Sequence, residues 1–306
     1  MTRPRSDRTE DPTAPAATFR PYDDRALTLG EGPLWHPERG QLFWFDIMRK
    51  RLLTRTAEGP AAWTFETHVS AAGWVDRDRL LVASATDLRL FDLATGTSTP
   101  LCPLEADNPA TRSNDGRADP WGGFWIGTMG LDAQPGAGAV WRWWRGELRR
   151  LFAPVTISNA IAFPPGGGFA TFADTAARTV WRVALDPETG WPAAGPEVFL
   201  DLAAEGLNPD GAVFDAAGRL WLAEWGAARV SAYDEAGRRV ARVTAPTAHV
   251  SCPAFGGPGL GTLFATTATQ GLSAAERAAQ PQAGMTFSAT GPGIGPGLAE
   301  HRVILP

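Results

Sequence analysis

The sequence predicts an all-β fold, a six-bladed β-propeller, from three observations. First, one frame of two short apolar segments separated by a turn recurs six times, with copies that begin at Glu31, Ala72, Asp115, Asn159, Asp210 and Ser251. Second, successive copies begin 41, 43, 44, 51 and 41 residues apart, a spacing typical of propeller blades when short strands carry the repeat. Third, strand patterns dominate the chain and helix patterns are rare.

The strongest copies of the repeat predict the two inner strands of three blades. In each copy an apolar segment is followed by a turn and then by a second apolar segment. The pairs are residues 31–35 with 41–46, 159–163 with 169–174, and 210–214 with 219–224. The three glycines at 166–168 fall between two strands of one blade, so they are interpreted as a turn.

The outer strands are indicated by segments that end in Asp and a turn containing Gly. Such segments are residues 80–96, 179–190 and 229–237. One short helix is predicted over residues 273–279, because Ser273 and Glu276 have the spacing of a capping box. A propeller usually closes its ring by pairing strands from the two termini, and the candidates are residues 18–29 and 301–305.

Length and composition favour one globular domain. The chain has 306 residues and the repeat spans most of them, so residues 16–306 are predicted to form a single propeller domain. Residues 1–15 are rich in Pro, Thr, Arg and Asp, which bury little apolar surface, and are predicted to form a disordered tail. The 13 Trp fall mainly in strand-like segments, as expected where flat sheets pack face to face.

Charge and targeting signals argue against several classes of protein. A net charge of −5 without a long basic run gives no reason to expect a nucleic-acid partner. No segment resembles a signal peptide or is long enough to cross a membrane. Cys102 and Cys252 are too few for a disulfide scaffold and are predicted to be free thiols in a reducing compartment. We expect a cytoplasmic protein that is monomeric or weakly oligomeric.

Three copies of the repeat open with a side chain that carries an oxygen atom, namely Glu31, Asn159 and Asp210. Taken singly, each has a simpler interpretation, since Pro-Asp-Gly is a common turn tripeptide and loops often carry an exposed carboxylate. Their shared register favours one common site, because equivalent positions of the innermost strands lie at the same height around the axis of a propeller.

The chemistry of this trio predicts a metal site on the central axis. Two carboxylates neutralise a divalent cation, and the Asn carbonyl adds a third hard oxygen donor. Such a set favours Ca²⁺, Mg²⁺ or Mn²⁺ over metals that seek thiolates. Three protein ligands also leave coordination positions open for water and substrate. Ca²⁺ is our first expectation, and Zn²⁺, Mn²⁺, Mg²⁺ and Fe²⁺ are the alternatives.

The segment 112–116 adds polar groups near the same end of the axis. The planar guanidinium of Arg112 could hold a polar substrate, although pairing with an outer carboxylate is an equally good interpretation. The run Asn114-Asp115-Gly116 is by itself a hairpin signal. The sequence contains no Gly-x-Ser-x-Gly elbow and no P-loop, so Ser-His-Asp hydrolysis and P-loop chemistry are not indicated.

Together these motifs resemble the gluconolactonase/regucalcin family, six-bladed sugar-lactone hydrolases that include the luciferin-regenerating enzymes. The resemblance covers about residues 29–287. It rests on Leu-Gly-Glu-Gly-Pro-Leu-Trp at 29–35, Arg-Ser-Asn-Asp-Gly-Arg at 112–117 with Gly-Thr-Met at 127–129, Ser-Asn at 158–159 with Phe-Ala-Asp-Thr at 172–175, and Pro-Asp-Gly at 209–211 with Leu-Trp-Leu at 220–222.

The resemblance implies a role for each candidate residue. Glu31, Asn159 and Asp210 would bind the divalent metal, Arg112 and Asn114 would contact the substrate, and Asp210 would also be the general base. Two departures from the family pattern stand out. Ala160 occupies a position that is commonly Gly, which is tolerated unless the backbone needs a positive φ there. Residues 133–139 lack the acidic substrate contact of some relatives, which leaves the substrate open.

We therefore expect metal-dependent hydrolysis of a sugar (aldono-)lactone to the corresponding sugar acid. The metal would polarise the lactone carbonyl, and a water deprotonated by Asp210 would attack it, with Asp115 as the first alternative base. One rival is a non-enzymatic metal-binding or interaction propeller. The other is a propeller hydrolase acting on a different ester, which an apolar mouth lined by Trp143, Trp144 or Trp225 would favour.

Overall fold

The computed structural model describes residues 17–306, which form six sheets arranged as the blades of a propeller. The innermost strands of successive blades contact one another, and the sixth contacts the first, so the ring around the axis is closed. The six copies of the sequence repeat correspond to these six innermost strands, which confirms the predicted blade count. The predicted disordered tail, residues 1–15, lies outside the described residues.

Each blade has four strands, and blade 5 has one more. From the axis outward, the strands of blades 1 to 3 are Gly30–His36, Gln41–Asp46, Arg51–Thr56 and Gly59–Thr64, then Val69–Trp74, Arg79–Ser84, Asp87–Asp92 and Ser98–Pro103, then Thr111–Ala118, Phe124–Gly130, Gly138–Trp144 and Glu147–Val155. Those of blades 4 to 6 are Ser158–Ala162, Phe169–Asp174, Thr179–Ala184 and Glu197–Asp201, then Asn208–Phe214, Leu220–Trp225, Arg229–Tyr233, Arg239–Thr244 and Ala17–Thr18, then Val250–Gly256, Thr262–Thr267, Thr286–Ala289 and Arg20–Asp23.

The ring is closed by the N-terminal segment alone. Arg20–Asp23 pairs antiparallel with Thr286–Ala289 as the outer strand of blade 6. The prediction that residues 301–305 are a closing strand is wrong, because they adopt no regular structure. They lie instead across the end of the propeller where the innermost strands terminate, with Val303 N donating to Trp74 O at 2.9 Å and Ile304 N to Gly122 O at 2.9 Å.

This C-terminal segment also brings a carboxylate, that of Glu300, to the end of the axis that it crosses. Glu300 forms an ion pair with Arg117, which is buried and donates to Ile161 O at 3.2 Å and to Ala212 O at 3.1 Å. Arg117 therefore ties the innermost strands of blades 3, 4 and 5 together.

Helical structure within residues 17–306 is short. A single α-helix spans Ala274–Ala279, and Ser273 and Glu276 form the predicted capping box, with Ser273 N donating to Glu276 Oε2 at 2.7 Å. A 3₁₀ turn spans Pro258–Leu260. No helix of this part of the chain is long and apolar enough to cross a lipid bilayer.

The apolar core consists of six clusters in residues 17–306, each lying between two neighbouring blades. Large aromatic side chains fill them, as the Trp content predicts. Between blades 5 and 6, for example, the rings of Trp221 and Phe255 meet edge to face at 5.9 Å. Face-to-face packing of this kind fixes each blade relative to the next, and it holds the innermost strands at fixed positions around the axis.

Ala160 adopts the backbone conformation that the family glycine would allow. Its φ is 53°, and Gly32, which follows Glu31 as Ala160 follows Asn159, has a φ of 52°. A left-handed conformation costs an L-residue other than glycine roughly 1–2 kcal/mol. The backbone does need a positive φ at this position, so Ala160 is strained. It lies directly beside Asn159, a candidate ligand.

We expect Ala160→Gly to be far less destabilising than Ala162→Gly, a matched change in the same strand. Both alanines are fully buried, and only Ala160 has a positive φ. Loss of a buried methyl and added chain entropy should cost about 1–2 kcal/mol at Ala162. At Ala160 the relief of strain should offset this cost to within about 1 kcal/mol. Equal losses in denaturant unfolding of the two variants would contradict the strain.

Candidate functional site

The candidate residues lie where the innermost strands carry β-bulges. The register between the first and second strands of a blade shifts after Glu31 in blade 1, after Asn159 in blade 4 and after Pro209 in blade 5. The other three innermost strands are also shifted near their starts. A bulge leaves residues outside the ladder and re-aims their side chains. The repeated bulge thus turns side chains from different blades toward one axis.

The five residues singled out in the sequence line a single cavity of about 170 Å³ at this end of the axis: Glu31, Arg112, Asn114, Asn159 and Asp210. All five are at least 95% buried. The structure thus brings together the whole candidate set, from blades 1, 3, 4 and 5. The remaining lining is partly polar, from Thr175 and Gln270, and partly apolar, from Leu29, Met129, Ala133, Ile157 and Trp225.

A larger cavity of about 400 Å³ lies between the outer turns of blades 4 and 5. Two of its charged side chains are already engaged with the protein, since Arg219 pairs with Asp215 and Asp234 pairs with Arg238. It offers no comparable convergence of buried polar groups, so we place the candidate site on the axis.

Glu31 and Asp210 are two buried carboxyl groups with little compensation. Each is at most 5% exposed, and neither takes part in the ion pairs formed by residues 17–306. Burial, with the charge of Asp115 as the next cause, raises the pKa of Glu31 to about 8. Burial and the neighbouring Glu31 also hold the pKa of Asp210 well above its usual range. Arg112 attracts both carboxylates but forms no ion pair with either, so their negative charge is only partly compensated.

Arg112 is the basic group of the cavity. Its Nη1 donates to Ser113 O at 2.9 Å and to Asn114 Oδ1 at 2.7 Å, and no ion pair with an outer carboxylate is found among residues 17–306. Burial lowers the pKa of Arg112 to about 10, against the attraction of Glu31 and Asp210. The guanidinium remains charged near neutral pH, and it has further N–H groups that Ser113 and Asn114 do not use.

A directional chain of hydrogen bonds joins the candidate residues across three blades. Asn114, held by Arg112, donates from Nδ2 to Asn159 Oδ1 at 3.1 Å and to Ser158 O at 2.9 Å. Asn159 Nδ2 donates to Thr175 Oγ1 at 2.8 Å. The Thr175 hydroxyl donates to the carbonyl of Pro209, immediately before Asp210, at 2.6 Å.

Asp115, the alternative base, lies outside this cavity. Its Oδ2 accepts a hydrogen bond from Ile161 N at 2.7 Å, and it is 3% exposed. Burial raises the pKa of Asp115 to about 6, and the charge of Arg117 opposes this shift. A carboxylate committed to a backbone N–H and absent from the cavity wall is a weaker candidate for proton transfer than Asp210.

The residues present fit a hard divalent cation. The donor set is two carboxylates and one amide oxygen, and a cation would neutralise the charge of this desolvated pair that Arg112 leaves uncompensated. Within residues 17–306, no three His, Cys, Asp or Glu side chains are grouped so as to hold a metal. The third ligand must therefore come from Asn159 or another neutral oxygen.

Thr175 and Gln270 were not predicted as cavity residues from the sequence. Trp225 was considered only for the alternative function, hydrolysis of a different ester. A signal was present for two of them, because Thr175 and Trp225 lie at the end of the second strand of their blades, at corresponding points of the repeat. Trp143 is buried between blades 2 and 3, and Trp144 stacks against Arg142, so neither lines the cavity.

Comparison with known proteins shows similarity over most of the chain. The family model described as SMP-30/Gluconolactonase/LRE-like region matches residues 29–269. An L-arabinolactonase of Azospirillum brasilense is 36% identical over 283 residues, which cover 90% of this chain and 92% of that protein. A pentonolactonase of Haloferax volcanii is 37% identical over 255 residues, which cover 80% and 83%.

A solved structure gives the same architecture. The crystal structure of a calcium-binding protein, regucalcin, from Agrobacterium tumefaciens superposes with a TM-score of 0.90 at 37% sequence identity. The match covers 95% of this chain and 99% of that chain.

Proposed function

Because the chain belongs to the SMP-30/gluconolactonase/LRE-like family, we propose that it is a metal-dependent lactonase that hydrolyses a sugar lactone to the sugar acid. One observation carries the proposal: Glu31, Asn159 and Asp210 converge with Arg112 on one cavity, and its two carboxyl groups have no ion-pair partner in residues 17–306. The lactonases among its relatives support the reaction class, and the similar calcium-binding structure supports a divalent cation.

Glu31, Asn159 and Asp210 would hold the cation. The cation would act as a Lewis acid toward the lactone carbonyl and would acidify a nearby water. Ca²⁺ remains our first expectation. The proposed central metal site thus follows from the donor set and the buried charge, and both can be tested without substrate.

The chain's own groups perform the remaining steps. The Asp210 carboxylate accepts a proton from the attacking water as the water oxygen bonds to the carbonyl carbon. The ring C–O ester bond then breaks, and the proton on Asp210 passes to the departing alkoxide, so that the products are a hydroxyl and a carboxylic acid, which releases its remaining proton to solvent and becomes the carboxylate. Arg112 and Asn114 hold the sugar hydroxyls and position the ester beside Asp210.

The apolar part of the wall supports a second candidate. Leu29, Met129, Ile157 and Trp225 line the cavity, and they would suit a less hydroxylated lactone or another ester. A cytoplasmic location and a monomeric or weakly oligomeric state stay predictions.

The proposal is tested with metal-stripped and reconstituted protein on a substrate panel. Five- and six-carbon aldonolactones, γ-butyrolactone and an aryl acetate would be compared with and without Ca²⁺, Mn²⁺, Mg²⁺, Zn²⁺ or Fe²⁺. We expect turnover of an aldonolactone that is lost on metal removal and restored by reconstitution. Preference for the aryl ester would favour the second candidate, and no turnover of any ester would leave a binding protein.

We expect Arg112→Ala to weaken catalysis while metal binding is retained. Loss of a charged hydrogen bond to substrate costs about 1.5–3 kcal/mol, or roughly 10- to 150-fold in kcat/KM. Asn114 still donates to Ser158 O and to Asn159 in this variant, so the metal ligands keep their support. Steady-state kinetics and metal content are the measurements. A parallel loss of metal would show that Arg112 supports the metal site instead.

A further inference from the structure

Thr175 is the side chain that joins two candidate ligands from neighbouring blades. It directly follows the second strand of blade 4, and it lines the cavity in a half-buried position. Its hydroxyl contacts the Asn159 amide at 2.8 Å and the carbonyl of Pro209, the residue before Asp210, at 2.6 Å.

The chemistry of the Pro209 end fixes which atom of Asn159 faces Thr175. A carbonyl only accepts hydrogen bonds, so the single hydroxyl proton of Thr175 is committed to Pro209 O. Thr175 can then offer only lone pairs to Asn159. The Asn159 amide must therefore turn its NH₂ group toward Thr175 and its oxygen away.

The Arg112 end requires the same orientation independently. A guanidinium only donates, so Asn114 must turn its oxygen to Arg112 and its NH₂ group toward Asn159. Asn159 must then present its oxygen to Asn114. The two ends of the chain thus determine both amide orientations, which heavy-atom positions alone leave ambiguous.

We propose that Thr175 is a positioning residue of the metal site. Its hydroxyl keeps the Asn159 oxygen, rather than the NH₂ group, available to a cation. The same hydroxyl holds the backbone that carries Asp210. The inference rests on the proposed metal-dependent function. A flipped Asn159 amide would direct its NH₂ group toward the site. N–H groups cannot coordinate a cation, which needs oxygen donors. Groups that orient a metal ligand typically change affinity by about 10- to 100-fold when removed.

The backbone at Thr175 is held separately from its hydroxyl. Thr175 N donates to Ile157 O at 3.0 Å, and Thr175 O accepts from Arg178 N at 3.1 Å. Replacing the hydroxyl by a methyl group in Thr175→Val should therefore remove two hydrogen bonds without moving the strand end. Thr175→Ser keeps the hydroxyl and removes only the methyl.

Blade 4 provides a matched control for the loss of a threonine hydroxyl. Thr171 is fully buried in the second strand and donates to Ala160 O at 2.9 Å, but it does not line the cavity. Thr171→Val should lower the free energy of unfolding without changing metal affinity.

The test is calorimetric titration of metal-stripped protein with Ca²⁺ and with Mn²⁺. We expect Thr175→Val, and likewise Thr175→Ala, to weaken binding by about 10- to 100-fold, with Thr175→Ser within about threefold of wild type. At saturating metal the kcat of Thr175→Val should largely recover, because the substitution removes neither the Asp210 carboxyl group nor the Asn159 amide.

The outcomes separate this inference from the function on which it rests. If wild type binds no divalent cation, the proposed metal site fails, and the inference with it. If wild type binds metal and Thr175→Val binds it equally well, only the positioning role fails. Weak binding by Thr175→Ser would likewise overturn the role of the hydroxyl, as would an equal loss in Thr171→Val.

Discussion

Asp210→Asn is expected to lower kcat by about 10²- to 10⁴-fold, the usual contribution of a general base. The substitution keeps an oxygen donor and the shape of the side chain but removes the charge and the proton acceptor. Because burial and Glu31 raise the pKa of Asp210, loss of its charge should not unfold the protein. The variant should therefore fold and retain some metal at high metal concentration.

The measurement is kcat at saturating metal, with occupancy verified by elemental analysis. Asp115→Asn is the matched control, since Asp115 is equally buried but bonds Ile161 N outside the cavity. We expect Asp115→Asn to reduce stability more than kcat. Near-wild-type activity of Asp210→Asn with a filled metal site would reject Asp210 as the base, and a large kcat loss in Asp115→Asn would transfer the role to that residue.

The repeat allowed both the fold and the candidate site to be predicted from the sequence, for one physical reason. In a propeller, residues at one register of the repeat meet at the axis, so long-range proximity is encoded in local spacing. Glu31, Asn159 and Asp210 could therefore be grouped although up to 179 residues separate them (210 − 31). Residues 18–29 were one of two candidates for closing the ring, because a propeller usually pairs strands from its two termini.

Contacts without a repeat signal escaped the sequence reasoning. The pairing of Arg117 with Glu300 joins positions 183 residues apart, and the C-terminal segment that carries Glu300 has no strand pattern. The role of Thr175 depends on which neighbours face its hydroxyl, and spacing does not reveal this. The positive φ of Ala160 arises from the bulge. The glycine that is common at this position in the family indicates such a conformation, whereas an alanine does not.

Glu31→Gln is expected to have opposite effects on metal binding and on the stability of the metal-free protein. Removing one of the two proposed charged ligands should weaken metal binding by more than about 100-fold, since even orienting groups contribute 10- to 100-fold. Without metal, however, Glu31 is a buried carboxyl close to Asp210 and Asp115, so its charge opposes folding. The metal-free variant should be more stable than metal-free wild type.

The pH dependence follows from the direction of the Glu31 shift. Its pKa rises from 4.5 to about 8 in the folded protein, so the folded state binds more protons than the unfolded state between these values. Metal-free wild type should therefore lose stability as the pH rises from about 4.5 to 8, and Glu31→Gln should lack this part of the loss. The advantage of the variant should be on the order of a few kcal/mol at pH 8 and small at pH 5.

Glu224→Gln is the matched control for this prediction, because Glu224 is a fully buried carboxylate whose charge is compensated. It pairs with Arg229 and accepts from Tyr233 Oη at 2.6 Å. Breaking a buried pair leaves a cation without its partner, so Glu224→Gln should destabilise the protein with or without metal. Thermal unfolding in chelator at pH 5 and pH 8 compares the three proteins. If Glu31→Gln were destabilising in chelator, as Glu224→Gln should be, the Glu31 carboxylate would be compensated by groups of the protein, and the argument that this site requires a cation would fail.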